Sequence, residues 1–131
     1  MLYFWVMLGG ALGSGARYWC SGFAAHSFGY AFPAGTILVN VVGSFIIGFF
    51  ATFTGPEGRF LVSTEARQFV MVGLCGGYTT FSSFSLQTLT LIRQGEAALA
   101  GANVGLSFAL CMIAVWFGHI AAAALNQLKG G

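Results

Sequence analysis

The chain has 131 residues, of which 57% are hydrophobic and only 6% are charged, and its mean hydropathy is +0.84. Soluble domains carry about 25% charged residues, so this composition excludes an ordinary soluble protein and predicts one that is embedded in a lipid bilayer. A net charge of +2 is too small and too scattered to predict nucleic-acid binding. Long continuous apolar runs favour helices over a β-barrel, whose strands alternate polar and apolar residues.

Four segments are long enough to cross a bilayer, which takes about 20 apolar residues. They cover approximately residues 2–24, 35–53, 69–92 and 97–125. No basic region precedes the first segment, so we interpret it as a retained membrane helix and not as a cleaved signal peptide. Loops are predicted around Pro33, over 55–59 and over 93–96. The sequence therefore predicts one domain, residues 1–131, of an all-α integral membrane protein.

Small residues spaced four apart occur in every predicted span. They are Gly9/Gly13, Ser44/Gly48, Gly73/Gly77 and Gly101/Gly105. Such pairs let helix backbones approach closely in lipid, so we expect a tightly packed bundle.

The third span is interrupted by a polar stretch. Residues 76–85 contain two adjacent glycines, two threonines, three serines and two phenylalanines. Unpaired hydroxyl groups are costly at membrane depth, so these side chains must meet another helix, water or an ion. Paired glycines also favour a break in the helix, which would free backbone carbonyl groups inside the protein. We therefore predict that the third helix is broken near Gly76-Gly77.

The basic residues are divided weakly between the two sides of the predicted bundle. Arg59, Arg67 and Lys129 fall on one side, and Arg93 falls on the other, together with Arg17 if that residue reaches the interface. Orientation follows the Lys and Arg bias of the loops. So small a bias suggests a dual-topology protein whose inverted copies assemble together.

Acidic residues are absent from the predicted spans, since Glu57, Glu65 and Glu96 all lie in predicted loops. This disfavours proton-coupled transport through a membrane carboxylate. His26 and His119 are isolated, so no metal-binding cluster is predicted from the side chains. The chain has neither a Gly-x-Ser-x-Gly elbow nor a P-loop. We therefore predict that the protein is not an enzyme.

Three cysteines lie within apolar runs, at Cys20, Cys75 and Cys111, and none of them belongs to a Cys-x-x-Cys pair. Free cysteines are among the residues most often buried. We interpret these three as small hydrophobic residues of the interior.

Neutral hydrogen-bond donors and aromatic rings are the remaining candidates for a site. Asn40 offers amide donors in the second span, although an interhelical packing bond is the alternative interpretation. Phe81 and Phe84 share a helix face among serines, where the positive ring edges would suit an anion in a water-poor passage. Arg17 would either draw anions inward or extend to the nearby interface.

The fourth span repeats a polar or small side chain every four residues, at Asn103, Ser107 and Cys111. Residues at this spacing share one face of a helix. We place Ser107 in the predicted anion path, and a helix-packing face is the alternative.

These motifs resemble the CrcB/Fluc family of fluoride channels over nearly the whole chain. The resemblance rests on the segments 9–13 with Arg17 and Tyr18, 35–36 with Asn40, 43–44, and above all 76–84. It implies a passive channel that exports fluoride from the cytoplasm across the plasma membrane. It also implies an antiparallel homodimer with two pores between the subunits.

The resemblance also assigns individual residues. Asn40, Phe81 and Phe84 would line the pore, with hydroxyl groups supplied by Ser82 and Ser83. Arg17 would lie near an aqueous vestibule. A structural sodium ion at the dimer interface would be held by backbone carbonyl groups that map to Gly76 and Thr79. The chain departs from the family at Gln87, where many relatives carry an acid, and at Cys111, where a hydroxyl is expected.

Two other functions remain as alternatives. A small dual-topology multidrug exporter needs an intramembrane carboxylate, which the predicted spans lack. A scaffold subunit that transports nothing would explain the glycine pairs but not the cluster of Asn, Ser and Phe residues.

Overall fold

The computed structural model describes residues 1–29, 31–56, 58 and 60–130, and these are helical with no strand. The elements are α1 (Leu2–Phe28), α2 (Ala34–Phe53), α3 (Thr64–Gln68), a π-helical segment (Phe69–Cys75), α4 (Gly76–Tyr78), α5 (Phe81–Arg93) and α6 (Ala97–Gly130). The predicted all-α class is therefore confirmed. Of the predicted loop over 55–59, Glu57 and Arg59 lie outside the described residues.

Three helical stretches are long and apolar enough to cross a membrane. They are Ala34–Phe53, Thr64–Arg93 and Ala97–Leu128. With 27 residues, α1 is also long enough, at about 1.5 Å per residue. Its composition is less apolar, because it carries Arg17 and five glycines. The structure thus supports three spans by composition, and the fourth predicted span rests on the length of α1.

The first helix ends later than the sequence suggested. It continues to Phe28 and stops at Gly29, which has φ 87° and donates its N–H to the Ala25 carbonyl oxygen at 2.8 Å. This left-handed conformation favours glycine, because a Cβ atom would be strained there. His26 consequently lies in the last turn of α1 and not in the following loop.

Helix packing is closest where small residues face each other. The most extensive contacts are between α2 and α6 and between α1 and the π-helical segment. At the second crossing, a Cβ atom on Gly73 would lie 2.9 Å from the Gly9 Cα atom. Gly48 of α2 likewise packs on the backbone of Val115 in α6. By contrast, Gly101 and Gly105 face open space.

The outside of the bundle is apolar. Large hydrophobic side chains such as Leu12, Trp19, Phe108 and Trp116 are exposed. Contiguous apolar surface of this kind is rare on soluble monomers. Together with the three apolar spans, it makes this chain a multi-pass integral membrane protein.

Candidate functional site

The third helix is interrupted at Thr79 and Thr80. Both residues are extended, with φ −84° and ψ 159° at Thr79 and φ −151° and ψ 117° at Thr80. Gly76 is still helical, with φ −63° and ψ −38°. The predicted break near Gly76-Gly77 is therefore confirmed, but the glycines themselves do not form it. Instead, Gly77 packs closely on the Gly10 backbone of α1, so this glycine serves helix packing.

The side-chain amide of Asn40 stabilises the break. Its Nδ2 donates to the Thr80 carbonyl oxygen at 3.0 Å, and its Oδ1 accepts from the Thr80 N–H at 2.7 Å. Both backbone groups of an extended residue are thereby paired by one side chain from α2. Because an unpaired backbone group inside a membrane protein is costly, this pairing is what makes a non-helical residue tolerable at this depth.

Two hydroxyl groups complete the local hydrogen bonding. Thr80 Oγ1 accepts from the Ser83 N–H at 3.1 Å and thereby caps the start of α5. Thr79 Oγ1 donates to the Cys75 carbonyl oxygen at 2.9 Å. These threonines end one helix and begin the next, which explains why the break lies at the Thr79-Thr80 pair.

The rerouted bonds leave two carbonyl oxygens without their usual helical donors. In an α-helix, an N–H donates to the carbonyl four residues earlier. The Thr80 N–H, which would serve Gly76, donates to Asn40, and the Ser83 N–H, which would serve Thr79, donates to Thr80 Oγ1. Gly76 and Thr79 are the two residues to which the sequence resemblance assigns a cation.

Arg17 is attached to the same break. Its Nε donates to the Gly77 carbonyl oxygen at 3.0 Å, and the side chain is half-buried. The guanidinium group therefore brings a positive charge from α1 to the middle of the broken helix. Of the two interpretations of Arg17, the structure favours a partly buried cation over one that extends to the interface.

A cavity of about 350 Å³ opens beside the break, and we call it the break cavity. Its wall comprises Asn40, Gly43, Ser44, Ile47, Cys75, Gly76, Thr79, Thr80, Phe81, Phe84, Ser107, Phe108, Cys111 and Met112. None of these residues is charged. The helix break thus borders a cavity, open on one side, that is lined by phenylalanines, sulphur-containing residues and neutral polar residues.

Three phenylalanine rings stand in sequence along this wall. The ring centroids of Phe81 and Phe84 are 5.3 Å apart, and those of Phe84 and Phe108 are 6.3 Å apart at an interplanar angle of 83°. Phe84 is only 7% exposed, whereas Phe81 is 70% exposed. The predicted pair is therefore brought together, and Phe108 joins it. Sequence reasoning missed Phe108, since only its place beside Ser107 pointed to the site.

The serines are placed differently from one another. Ser82 is exposed, and its Oγ atom lies 3.3 Å from Thr80 Oγ1. Ser83 is half-buried. Neither is on the wall of the break cavity, whereas Ser107 is. Their backbone position at the start of α5 still places both within one turn of the break.

A chain of hydrogen bonds connects Ser107 to α5. Ser107 Oγ donates to Asn103 Oδ1 at 3.4 Å, Asn103 Nδ2 donates to Thr88 Oγ1 at 2.8 Å, and Thr88 Oγ1 donates to the Phe84 carbonyl oxygen at 2.8 Å. Asn103 is fully buried. This network fixes the register of α5 on α6 and hence the position of Phe84.

Gln87 lies apart from the break, on the wall of a second cavity of about 280 Å³. Its Oε1 atom is buried and has no hydrogen-bond partner among the described residues. The second cavity is bordered by the end of α1, the start of α2 and the end of α5, with Ala25, Thr36 and Leu91 on its wall. Cys111, the other departure from the family, lies in the break cavity.

Membrane-length helices, one of them broken beside an uncharged cavity that carries a few neutral polar groups, define a small multi-pass membrane protein. Comparison with known proteins identifies it further. Residues 4–119 match the family model described as CrcB-like protein, Camphor Resistance (CrcB). The chain belongs to the CrcB family, which confirms the resemblance drawn from its motifs.

Relatives match over almost the whole length of the chain. A protein of Methylocella silvestris named fluoride-specific ion channel FluC is 61% identical over 130 residues, which is 99% of each chain. Proteins of the same name from Opitutus terrae and Rhodospirillum rubrum are 62% and 56% identical, over 98% and 97% of this chain and 98% of each relative.

Proposed function

We propose that the protein is a passive, fluoride-selective ion channel of the bacterial plasma membrane that lowers the fluoride concentration of the cytoplasm. Two relatives named fluoride-specific ion channel FluC, which are 61% and 62% identical over almost the whole chain, support the fluoride part of this proposal. The observation that carries the proposal is the composition of the break cavity, whose wall combines aromatic rings with neutral polar groups and bears no charged residue.

The wall suits a small anion that is stripped of part of its water. The Asn40 amide has two N–H groups, and one of them is used by the Thr80 carbonyl oxygen. The second is available to an anion in the cavity. The edges of Phe81 and Phe84 carry partial positive charge. These weak, neutral contacts would let an ion enter without holding it, which conduction requires.

Arg17 also favours an anion at this site. Its guanidinium group is bonded to the Gly77 carbonyl oxygen, one turn from the cavity wall at Thr80. A fixed cation at this depth lowers the electrostatic energy of a nearby anion. We therefore propose that Arg17 attracts fluoride from the adjacent vestibule and does not itself line the narrowest part of the path.

Energy coupling is not required by this arrangement. Glu65 and Glu96 lie in α3 and in the turn before α6, and the break cavity has no carboxylate. A membrane potential contributes about 2.3 kcal/mol per elementary charge for each 100 mV. An inside-negative potential is therefore enough to drive fluoride outward through a passive path.

We further propose that α1 supplies the fourth span and that two copies assemble as an antiparallel homodimer. Phe81 and Phe108 are on the cavity wall and yet are 70% and 57% exposed. A second copy would cover these rings and close the path on its open side. Gly101 and Gly105 also leave part of the α6 surface without side chains, so that another helix can pack closely there.

A structural sodium ion fits the freed carbonyl groups of Gly76 and Thr79. Hard cations prefer oxygen ligands, and the helical donors of both carbonyls are bonded elsewhere. One chain offers two such oxygens, so an inverted pair would offer four. The cation would offset the repulsion between the carbonyl oxygens that face each other between the two copies. We assign it no part in conduction.

Ion flux from liposomes tests the proposed function. Full-length protein is reconstituted in liposomes loaded with potassium fluoride or potassium chloride, and efflux is started with valinomycin and followed by ion-selective electrodes. We expect fast fluoride release and chloride release no faster than in protein-free liposomes. Comparable chloride release, or no fluoride release from correctly folded protein, would contradict the proposal.

A further inference from the structure

Three consecutive apolar side chains are exposed in the connection between α2 and α3. They belong to Phe60, Leu61 and Val62, which we call the apolar loop, and Leu61 is 85% exposed. A run of exposed apolar residues is unfavourable in a segment surrounded by water, unless it has a function. These side chains therefore need a covering other than water.

The fold holds the start of the apolar loop against the end of α2. The Phe60 N–H donates to the Phe53 carbonyl oxygen at 3.3 Å, and the two rings meet edge to face with their centroids 5.2 Å apart. Gly58 permits this close approach, because a Cβ atom at that position would overlap the Phe53 carbonyl oxygen. The apolar loop thus begins from a fixed turn.

The end of the apolar loop is fixed as well. Ser63 follows it directly and caps α3, since its Oγ accepts from the Ala66 N–H at 3.1 Å. Arg67 in α3 donates from Nη1 to Thr54 Oγ1 and to the Ala51 carbonyl oxygen, both at the end of α2. Because both ends are attached, the fold sets the position of the apolar loop relative to α2.

The apolar loop lies at one end of the membrane-spanning helices. It connects Ala34–Phe53 with Thr64–Arg93, and both of these stretches are long and apolar enough to cross a bilayer. A series of phenylalanine rings continues from the middle of α2 into the loop, with successive centroids 6.4, 5.1 and 5.2 Å apart. The rings are those of Phe45, Phe49, Phe53 and Phe60. The surface of the loop is therefore continuous with the apolar surface of the span.

We infer that the apolar loop is an interfacial anchor, whose side chains insert among the acyl chains just below the phospholipid headgroups of the same bilayer. Apolar faces of membrane-surface segments are buried about 5–10 Å into this boundary. Lipid is the occupant that the structure favours, because the loop continues the apolar surface of a span and lies where the chain leaves the membrane.

An aromatic side chain of α1 belongs to the same end of the bundle. The exposed Trp5 ring meets the Phe69 ring edge to face, with centroids 6.0 Å apart, and tryptophan is enriched at membrane–water interfaces. Phe69 begins the π-helical segment that leads to the break, and α3 lies between this segment and the apolar loop. An anchored loop would therefore fix the depth of the third helix in the bilayer. Anchoring requires no ion conduction and is independent of the proposed function.

A nitroxide spin label at position 61 tests where the apolar loop lies. Leu61→Cys is made in a chain whose native cysteines, Cys20, Cys75 and Cys111, are replaced by serine, and the labelled protein is reconstituted in liposomes of phosphatidylcholine and phosphatidylglycerol. Electron paramagnetic resonance then compares collisions of the label with oxygen, which concentrates in lipid, and with a neutral nickel chelate, which stays in water. Glu96→Cys is the matched control, because Glu96 is exposed in the short turn before α6.

We expect oxygen collisions to dominate at position 61 and nickel collisions to dominate at position 96. Dominant nickel collisions at position 61 would place the apolar loop in water and overturn the anchor. Few collisions with either reagent would mean that protein, such as a second copy of the chain, covers the loop, and this result would overturn the anchor too.

Thermal unfolding in lipid nanodiscs tests the anchor with the native cysteines in place. Substitution of an exposed residue in water has little effect on stability, whereas a carboxylate is unfavourable among acyl chains. We therefore expect Leu61→Glu to lower the unfolding midpoint, measured by circular dichroism, by several degrees. Leu61→Trp should keep the wild-type midpoint, because tryptophan suits the interface. Equal midpoints for Leu61→Glu and wild type would show that the side chain at position 61 does not lie in lipid.

Discussion

Asn40 and Thr80 are joined by two hydrogen bonds of 2.7 and 3.0 Å, so that one side-chain amide pairs both backbone groups of the residue at the helix break. The same amide is also on the wall of the break cavity. Asn40 therefore stabilises the break, and its second N–H is the donor that we propose for an ion. The two interpretations that the sequence left open, a pore donor and an interhelical bond, are compatible in this geometry.

Replacing Asn40 should affect both the break and the proposed ion contact. In Asn40→Asp, a carboxylate oxygen can still accept from the Thr80 N–H, but the donor to the Thr80 carbonyl is lost and the charge repels fluoride. We expect fluoride flux to be abolished in liposomes and stability to fall by about 1–3 kcal/mol, the cost of an unpaired buried group. Asn40→Ser retains one donor and should conduct better than Asn40→Asp. Wild-type flux in Asn40→Asp would exclude pore contact by this side chain.

The two adjacent phenylalanines should respond differently to the same substitution. Isoleucine keeps an apolar side chain but removes the positive ring edge. Phe81→Ile should therefore lower fluoride flux with little change in thermal stability, because Phe81 is 70% exposed. Phe84→Ile should lower flux and also cost about 1–3 kcal/mol of stability, since the buried ring packs between Phe81 and Phe108.

Flux and thermal unfolding in detergent, measured on the same preparations, separate these effects. The informative variant is Phe81→Ile, whose fold should be intact. If it releases fluoride at the wild-type rate, the aromatic edge is not part of the path.

The network between α5 and α6 should behave as a unit. Asn103→Ala and Thr88→Val each remove one side of the 2.8 Å bond between these residues. Interhelical hydrogen bonds within membranes contribute about 0.6–1.7 kcal/mol. A double-mutant cycle on unfolding free energy should therefore give a coupling of about 1 kcal/mol.

Ser85→Ala provides a matched control for that cycle, because the Ser85 hydroxyl bonds within its own helix, to the Phe81 carbonyl oxygen at 3.0 Å. Combining it with Asn103→Ala should give an additive loss. Additivity for the Asn103 and Thr88 pair as well would mean that the network does not hold α5 on α6.

The sequence predicted the class of fold well, because apolar runs and their lengths determine which segments are helices in a membrane. It also indicated Asn40, Phe81 and Phe84 as residues of the site, because such a cluster of amide and aromatic side chains among serines is unusual inside a membrane span. It predicted a break near Gly76-Gly77 but not the cause of that break, because the glycine pair was interpreted as the flexible point. The deciding interactions are the Asn40–Thr80 pairing between α2 and the third helix and the Thr80 cap. A pairing between residues 40 positions apart has no local signature.

Phe108 was missed for a related reason. Its place on the cavity wall depends on the rotation of α6 relative to the other helices, and contacts such as Gly118 on the Phe45 backbone set that rotation. The small-residue pairs predicted that helices pack closely, but they did not predict which helices meet. Two of them meet across α1 and the third helix, while Gly101 and Gly105 face open space.

The contact between Gly43 and Thr79 allows a sharp test of the break and of the proposed sodium site. A Cβ atom added at Gly43 would overlap the Thr79 Cγ2 methyl group and would come within 3.3 Å of the Tyr78 ring. Gly43→Ala should therefore displace the extended Thr79 backbone, whose carbonyl oxygen is a proposed ligand. We expect reduced thermal stability, and loss of any stabilisation that sodium gives over a larger organic cation such as N-methylglucamine.

Serine at position 79 lacks that methyl group but keeps the hydroxyl that donates to the Cys75 carbonyl oxygen. Thr79→Ser alone should therefore retain the sodium effect, and the Gly43→Ala/Thr79→Ser double variant should recover both stability and the sodium effect lost in Gly43→Ala. The measurement is the midpoint of thermal unfolding in sodium and in N-methylglucamine for all four proteins. If wild type shows no difference between the two cations, the proposed ion is wrong. If Thr79→Ser fails to rescue Gly43→Ala, overlap with the Thr79 methyl group is not the cause of the lower stability of Gly43→Ala.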